Sequence, residues 1–147
     1  MEYKAFTEID TQSAWYRSMC ALHRTIFSSA DSDSIDEELS ARAKFLILIA
    51  LDENRVVGYK IGYQDQATRF YSWLGGVGQD HRGQGIASEL MRRQHEWCRH
   101  QGYAIIRTHT ENRWRNMLIL NLRHGFDVIG TYTDEHGEPK IMLEKRF

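Results

Sequence analysis

The amino-acid sequence predicts an α/β (α+β) domain organised on one mixed sheet, and three patterns predict it. Phe45 to Leu51 is an unbroken apolar run rich in β-branched residues, as a buried strand requires. Val57, Tyr59, Ile61 and Tyr63 then alternate with other residues, and Tyr71, Trp73 and Val77 do so again, so an antiparallel meander follows. Beyond Val77 the apolar period lengthens from that of a strand to that of a helix. Strand and helix patterns then alternate before a closing hairpin.

Taken in order, residues 2–8 carry a weak first strand. Trp15, Met19, Leu22 and Ile26 recur at intervals of four, three and four and mark one face of an amphipathic helix. Ser28 to Ser34 is a polar break. Ser34 with Glu37 reads as a capping box for a second helix, with Ile35 and Leu39 inward. After the apolar strand, Asp52-Glu53-Asn54 turns the chain into the third strand, and the fourth runs from about Thr68 to Val77. Gly78 to Gly85 is a glycine-rich turn opening a helix with Ile86, Leu90, Met91, Trp97 and Cys98 inward, terminated by Gly102. Ala104 to Thr110 is the fifth strand. Asn112 or a neighbour caps a helix that runs through Leu122 and ends at Gly125. Phe126 to Thr133 and Lys140 to Lys145 form a hairpin around His136-Gly137, with the single proline, Pro139, in its turn.

With 147 residues and no repeat, low-complexity tract or linker, residues 1–147 read as one domain able to bury a real core. The net charge of −1 gives no broad attraction to nucleic acid or to an anionic membrane, so neither is an expected partner. Cys20 and Cys98 have no metal-like spacing and read as free thiols in a reducing compartment. The start Met1-Glu2-Tyr3-Lys4 lacks the basic and apolar segments of a signal peptide, and no apolar run is long enough to span a bilayer. A cytoplasmic location is expected. A homodimer is the commonest assembly for such a chain.

The chemistry is concentrated at Val77-Gly78-Gln79-Asp80-His81-Arg82-Gly83-Gln84-Gly85-Ile86-Ala87. A strand ends, the chain turns on glycines, and a helix begins whose unpaired N–H groups and positive dipole end suit an anion. Gly83 and Gly85 let the backbone approach that anion without a Cβ in the way. A P-loop would need Lys and Ser or Thr where Ile86 and Ala87 stand, and the dinucleotide fingerprint breaks after Gly76-Val77-Gly78. What remains is Gln/Arg-x-x-Gly-x-Gly/Ala, met by Arg82-Gly83-Gln84-Gly85-Ile86-Ala87, or else a glycine turn with no ligand.

In this motif, and in the downstream strand Ile105 to Thr110, Asn112 and the helix reaching Gly125-Phe126, the sequence resembles the GNAT superfamily of acetyl-CoA-dependent N-acyltransferases. The likeness is specific over Phe70 to Phe126 and rests on element order elsewhere. It implies a single domain with a central, mixed, mostly antiparallel twisted sheet of about seven strands flanked by four helices. It also implies acetyl-CoA as acetyl donor and a primary amine, on a small molecule or a peptide, as acceptor.

The same resemblance assigns roles. The diphosphate would rest on the amides from Arg82 to Ala87, through Gly83, Gln84, Gly85 and Ile86. The pantetheine arm would pair with Gly76, Val77, Gly78 and Gln79, and an N–H near Val77 or Gly78 would polarise the thioester carbonyl. Asn112, Asn116 and Asn121 complete the implied cofactor contacts. The amine would attack directly, which calls for a base and for a proton to the departing thiolate. The tyrosine that usually supplies that proton falls on Asn121, which can donate a hydrogen bond but is no acid; Tyr132 is a candidate substitute. The glutamates used as base in two branches of the superfamily fall on Tyr71 and on His109. Histidine has the right intrinsic pKa for a base.

Other features have plainer readings. Asp31, Asp33, Asp36, Glu37 and Glu38 would attract a cationic amine, but helix capping and a solvated face explain them equally. Arg113 and Arg115 either reach the CoA 3′-phosphate or lie on an exposed helix face. His95 and His100 sit five apart, roughly 140° around a helix, and do not form a zinc pair. Trp73, Trp97 and Trp114 read as core or cleft-wall residues. A catalytically inactive acyl-CoA-binding module remains the alternative to an enzyme, because the usual Tyr and Glu are missing.

Overall fold

The computed structural model describes residues 1–28 and 34–147. Its elements are β1 (Glu2–Phe6), α1 (Ala14–Phe27), α2 (Ile35–Ser40), β2 (Phe45–Asp52), β3 (Arg55–Gln66), β4 (Arg69–Val77), α3 (Ile86–Gln101), β5 (Ile105–Thr110), α4 (Arg115–Arg123), β6 (Asp127–Thr133) and β7 (Pro139–Arg146). A single 3₁₀ turn, Gln79–His81, joins β4 to the approach of α3. The strands form one seven-stranded sheet in the order β1-β2-β3-β4-β5-β7-β6. Every neighbouring pair is antiparallel except β4 and β5, which are parallel. The mixed, mostly antiparallel sheet and its helices are as the sequence indicates.

Two apolar clusters sandwich the sheet. On one face Leu46, Leu48, Phe70, Ile106 and Leu143 pack with Ile86, Leu90, Met91 and Cys98 of α3, and Met117, Leu118 and Leu120 of α4 lean on that cluster. On the other, Ile47, Ile49, Tyr59 and Ile61 pack with Met19 and Cys20 of α1 and with Ile35 and Leu39 of α2. The strand between them, β2, is buried on both faces, which accounts for its unbroken apolar run. Deletion of one such buried Ile or Leu side chain costs about 2–5 kcal/mol.

Several local expectations change. Val57 leaves the face of Tyr59, Ile61 and Tyr63 and joins the opposite cluster. The cause is a bulge: Leu51 pairs with Val56 and Ala50 with Gly58, so one extra residue shifts the alternation. Ser34 stands at the N-cap of α2 with φ −105° and ψ 4°, and its side chain makes no cap hydrogen bond. A capping serine sits in the extended region, so this backbone mis-aims the hydroxyl and the box does not form. Asn112 does not cap α4. The turn closed by the Trp114 N–H on the Glu111 carbonyl intervenes, and the helix starts at Arg115 with Trp114 as N-cap. At the other end of the chain β7 inserts between β5 and β6, and Pro139 is its first residue, opposite Thr133. Among the described residues no helix is long and apolar enough to cross a membrane.

Candidate active site

The parallel pairing of β4 with β5 covers only Arg69 to Ser72 against Ile105 to Thr108. Past that point the cavity opens, about 980 Å³, reaching from Gly75, Gly76 and Val77 on β4 to Arg82, Gly83, Gly85, Ile86 and Ala87 at the head of α3. Its other wall is His109, Thr110 and Glu111 with Asn116 and Asn121 of α4. Gln79, Gln84, Gly78 and Asn112 do not line it. A parallel pair with a helical crossover on one side leaves this wedge, because α3 must enter beneath the strand ends.

The turn has the geometry of an anion cradle. Gly83 and Gly85 have φ of +79° and +81°, a region that disfavours L side chains. A Cβ on either would meet nothing within 4 Å, so the surface in front of them is open. The first intrahelical bond runs from the Glu89 N–H to the Gly85 carbonyl. The amides from Gly83 to Ser88 are thus free to face a ligand, at the positive end of a sixteen-residue helix. Arg82 braces the turn by donating its Nε–H to the Val77 carbonyl at 3.1 Å.

One expected donor is removed. The Gly78 N–H is spent on the Val57 carbonyl at 2.8 Å, on the β3 side, so it cannot polarise a thioester in the cleft. Strand alternation then turns the N–H groups of Val77 and Gly75 toward the open edge.

Three of the four expected catalytic side chains meet at one place. His109 lies edge-on to Tyr71, with ring centroids 5.4 Å apart, and to Tyr132 at 5.8 Å. Its Nδ1 is 3.5 Å from the Tyr132 hydroxyl, at the limit of a hydrogen bond. Burial first, then the nearby Arg107, lowers the His109 pKa, and the Asp65 carboxylate partly opposes them. The imidazole is therefore neutral at pH 7, the state a base needs. Burial pushes the Tyr71 phenol up to about 12, so it is no base at neutral pH. The fourth, Asn121, is only 3% exposed and lines the cavity from α4, on the other face of the split.

Glu111 is held by Lys140 and by Arg113 at 2.7 Å, which commits both the carboxylate and Arg113. Arg113 and Arg115 both line the cavity. Asp36, Glu37 and Glu38 form the first turn of α2, with Glu38 paired to Arg42; Asp31 and Asp33 lie outside the described residues. His95 is buried under α3 while His100 is exposed, so the two face apart. Trp73 and Trp114 line the cavity and Trp97 packs on the core.

Lys60 and the pair Ser88–His124, 2.7 Å apart, also reach this cavity and escaped the sequence reading. The signal for Lys60 was present. Tyr59, Ile61 and Tyr63 alternate onto one face of β3, so Gly58, Lys60 and Gly62 share the other, the one that α3 covers. A Cβ on Gly58 would come within 2.8 Å of Ile86 of α3.

The sequence profile of the acetyltransferase (GNAT) family matches residues 13–126, and the chain belongs to that family. No curated protein matches the chain in sequence. Among solved structures, an aminoglycoside 6′-acetyltransferase type Ii is similar, with 18% identity and a TM-score of 0.83, covering 99% of this chain and 97% of that one. A chain of the NatC complex bound to Gag peptide and CoA has 18% identity and a TM-score of 0.80, covering 100% and 99%. The ribosomal-protein-alanine N-acetyltransferase from Brucella melitensis has 17% identity and a TM-score of 0.79, covering 98% and 99%. At these identities the likeness is one of fold.

Proposed function

We propose that the chain transfers the acetyl group of acetyl-CoA to a primary amine by direct attack within a ternary complex. The observation that carries this reading is the run of unpaired amides at Gly83 to Ser88, opening directly into the split between β4 and β5. A diphosphate on the amides would leave the attached arm lying along the free edge of β4 from Val77 toward Gly75. One similar structure is an aminoglycoside 6′-acetyltransferase and another is bound to a peptide and CoA, which supports a small-molecule or peptide amine as acceptor. Residues expected to hold the donor are Gly76, Val77, Arg82, Gly83, Gly85, Ile86 and Ala87, with Asn116 and Asn121 from α4, while Gln84, outside the cavity lining, would offer only its backbone amide. His109 takes the amine proton, directly or through water.

Acetyl-CoA at 100-fold over its Kd adds roughly 2.7 kcal/mol to the folded state, which raises Tm by several degrees for a chain of this size. A folded protein whose Tm ignores millimolar acetyl-CoA and CoA refutes the donor assignment. Release of free CoA thiol across an acceptor panel then separates an enzyme from an inactive binding module. Asn121, at the position of the usual acid, is what keeps that second reading in play.

A further inference from the structure

Lys60 is 8% exposed and lies in β3 opposite Gly75 of β4. A Cβ on Gly75 would sit 3.6 Å from both its Cγ and its Nζ, so the lysine side chain crosses β4 in the space that glycine leaves. It emerges in the cavity with Ser72, Thr108, Leu90 and Asn121. Among the described residues no carboxylate pairs with it and no acceptor holds it. The groups that face it are His95 from α3 and His124 at the end of α4, with Ser72 of β4, Thr108 of β5 and Asn121 of α4 on the same cavity wall. None of these is an anion, and Glu111, the carboxylate lining that cavity, is paired with Lys140 and Arg113.

A buried, unpartnered ammonium is expensive to keep. Its retention makes sense where the cavity's occupant supplies the negative charge. We propose that Lys60 is the catalytic acid of this enzyme, donating a proton from Nζ to the thiolate that leaves when the amide forms. The proposal rests on the acetyl-transfer reading above. The C–N bond forms as the C–S bond breaks, the electron pair passes to sulfur, and sulfur takes the Nζ proton. The amine loses its own proton on the His109 side, and solvent in the open cleft reprotonates the neutral lysine.

Burial lowers the Lys60 pKa to about 8. The group is thus still charged at pH 7 yet far readier to give up a proton than an exposed lysine. At Gly75 a Cβ alone would only touch the lysine at van der Waals distance, so a side chain longer than alanine is what would enter its path.

Two variants test this. Lys60→Met keeps the length of the side chain and removes the charge. It should fold with a Tm at or above wild type, bind acetyl-CoA within about threefold of wild type, and lose roughly 100-fold in kcat, the lower end for general acid catalysis. Lys60→Arg keeps the charge but cannot release a proton, so its kcat should fall as far. The kcat of the wild type should decline as pH rises above about 8, and that limb should be absent from both variants. Wild-type kcat in Lys60→Met overturns the proposal, as does full rescue by Lys60→Arg, which would mean charge alone suffices. Weaker acetyl-CoA binding at unchanged kcat makes Lys60 a binding contact instead. A mass gain of one acetyl group on Lys60 during turnover makes it an acceptor. A wild type that binds no acetyl-CoA refutes the function reading itself, and this proposal falls with it.

Discussion

Replacing Gly85 with valine separates backbone strain from cofactor binding. Gly85 is the N-cap of α3 with φ +81°, and a Cβ there meets nothing within 4 Å. No clash arises, so the cost to folding is the left-handed backbone alone, about 1–2 kcal/mol. At about 2–4 °C per kcal/mol for a chain of this length, Tm drops by roughly 2–8 °C. Relief of the strain rotates the Gln84–Gly85 peptide and takes at least one N–H out of the anion cradle. A hydrogen bond from such a group to a charged partner is worth about 1.5–3 kcal/mol, so Kd for CoA should weaken about 10- to 100-fold. Gly102→Val is the control. Its φ is +85° and its Cβ is equally unobstructed, but it lies at the opposite end of α3. It should lose similar stability and no affinity. Calorimetric titration with CoA, paired with thermal melts, reads both quantities. CoA binding within about threefold of wild type in Gly85→Val, or equal weakening in Gly102→Val, would refute the assignment of this turn.

His109→Gln should reduce kcat/KM more at pH 7 than at pH 9, where more of the acceptor amine is already neutral; a loss independent of pH rules out the base role. Asn121→Ala should lower kcat about 10-fold if its amide supports the sulfur, whereas Asn121→Tyr should not exceed wild type, because the cleft was shaped around an amide. His95 is 3% exposed, and burial first, then Lys145, lowers its pKa to about 3. A folded-state pKa below the unfolded value near 6.5 means the folded protein binds fewer protons. This contribution is intact above about pH 6.5 and is lost as pH falls toward 3, on the order of 1 kcal/mol per unit. Urea melts between pH 4.5 and 7 should show that slope in the wild type and a flatter one in His95→Leu.

The sheet, its helices and the glycine turn were legible because each rests on a local rule: period, glycine conformation, or the free amides of a helix start. What escaped depended on which strands become neighbours. Val57 changed faces through a bulge that pairing with β2 imposes, and no run of residues in β3 alone encodes it. Gly78 looked equivalent to Val77 as a donor until the β3–β4 register assigned its N–H to Val57. Gln94 and His95 are polar residues on the buried face of α3, where the apolar stripe named only Ile86, Leu90, Met91, Trp97 and Cys98 as inward. Buried Gln94 amide atoms without a partner mark this interior as more polar than its apolar stripe implied. Lys60 differs in that its face is readable from the alternation of β3, while its burial depends on α3 packing over that face.

On the proposed mechanism, the split sheet supplies two separate sides for proton transfer in place of the family's usual tyrosine and glutamate. Side chains alternate along β4 and β5, so Tyr71 and His109 lie on the α1 side while Ser72 and Thr108 lie on the α3 side, where the Thr108 hydroxyl donates to the Ser72 carbonyl at 2.9 Å. An acetyl group held between the two strand ends would have one face toward His109 and the other toward Lys60 and Asn121. The amine, losing a proton, would come from the first side; sulfur, gaining one, would depart on the second. The one carboxylate lining the cleft, Glu111, is held by Lys140 and Arg113 rather than by Lys60. For His109, burial first and then Arg107 and Lys140 lower the pKa and favour the neutral form. On the proposed roles, a histidine base and a lysine acid are compatible because the two groups lie on opposite faces of the split sheet.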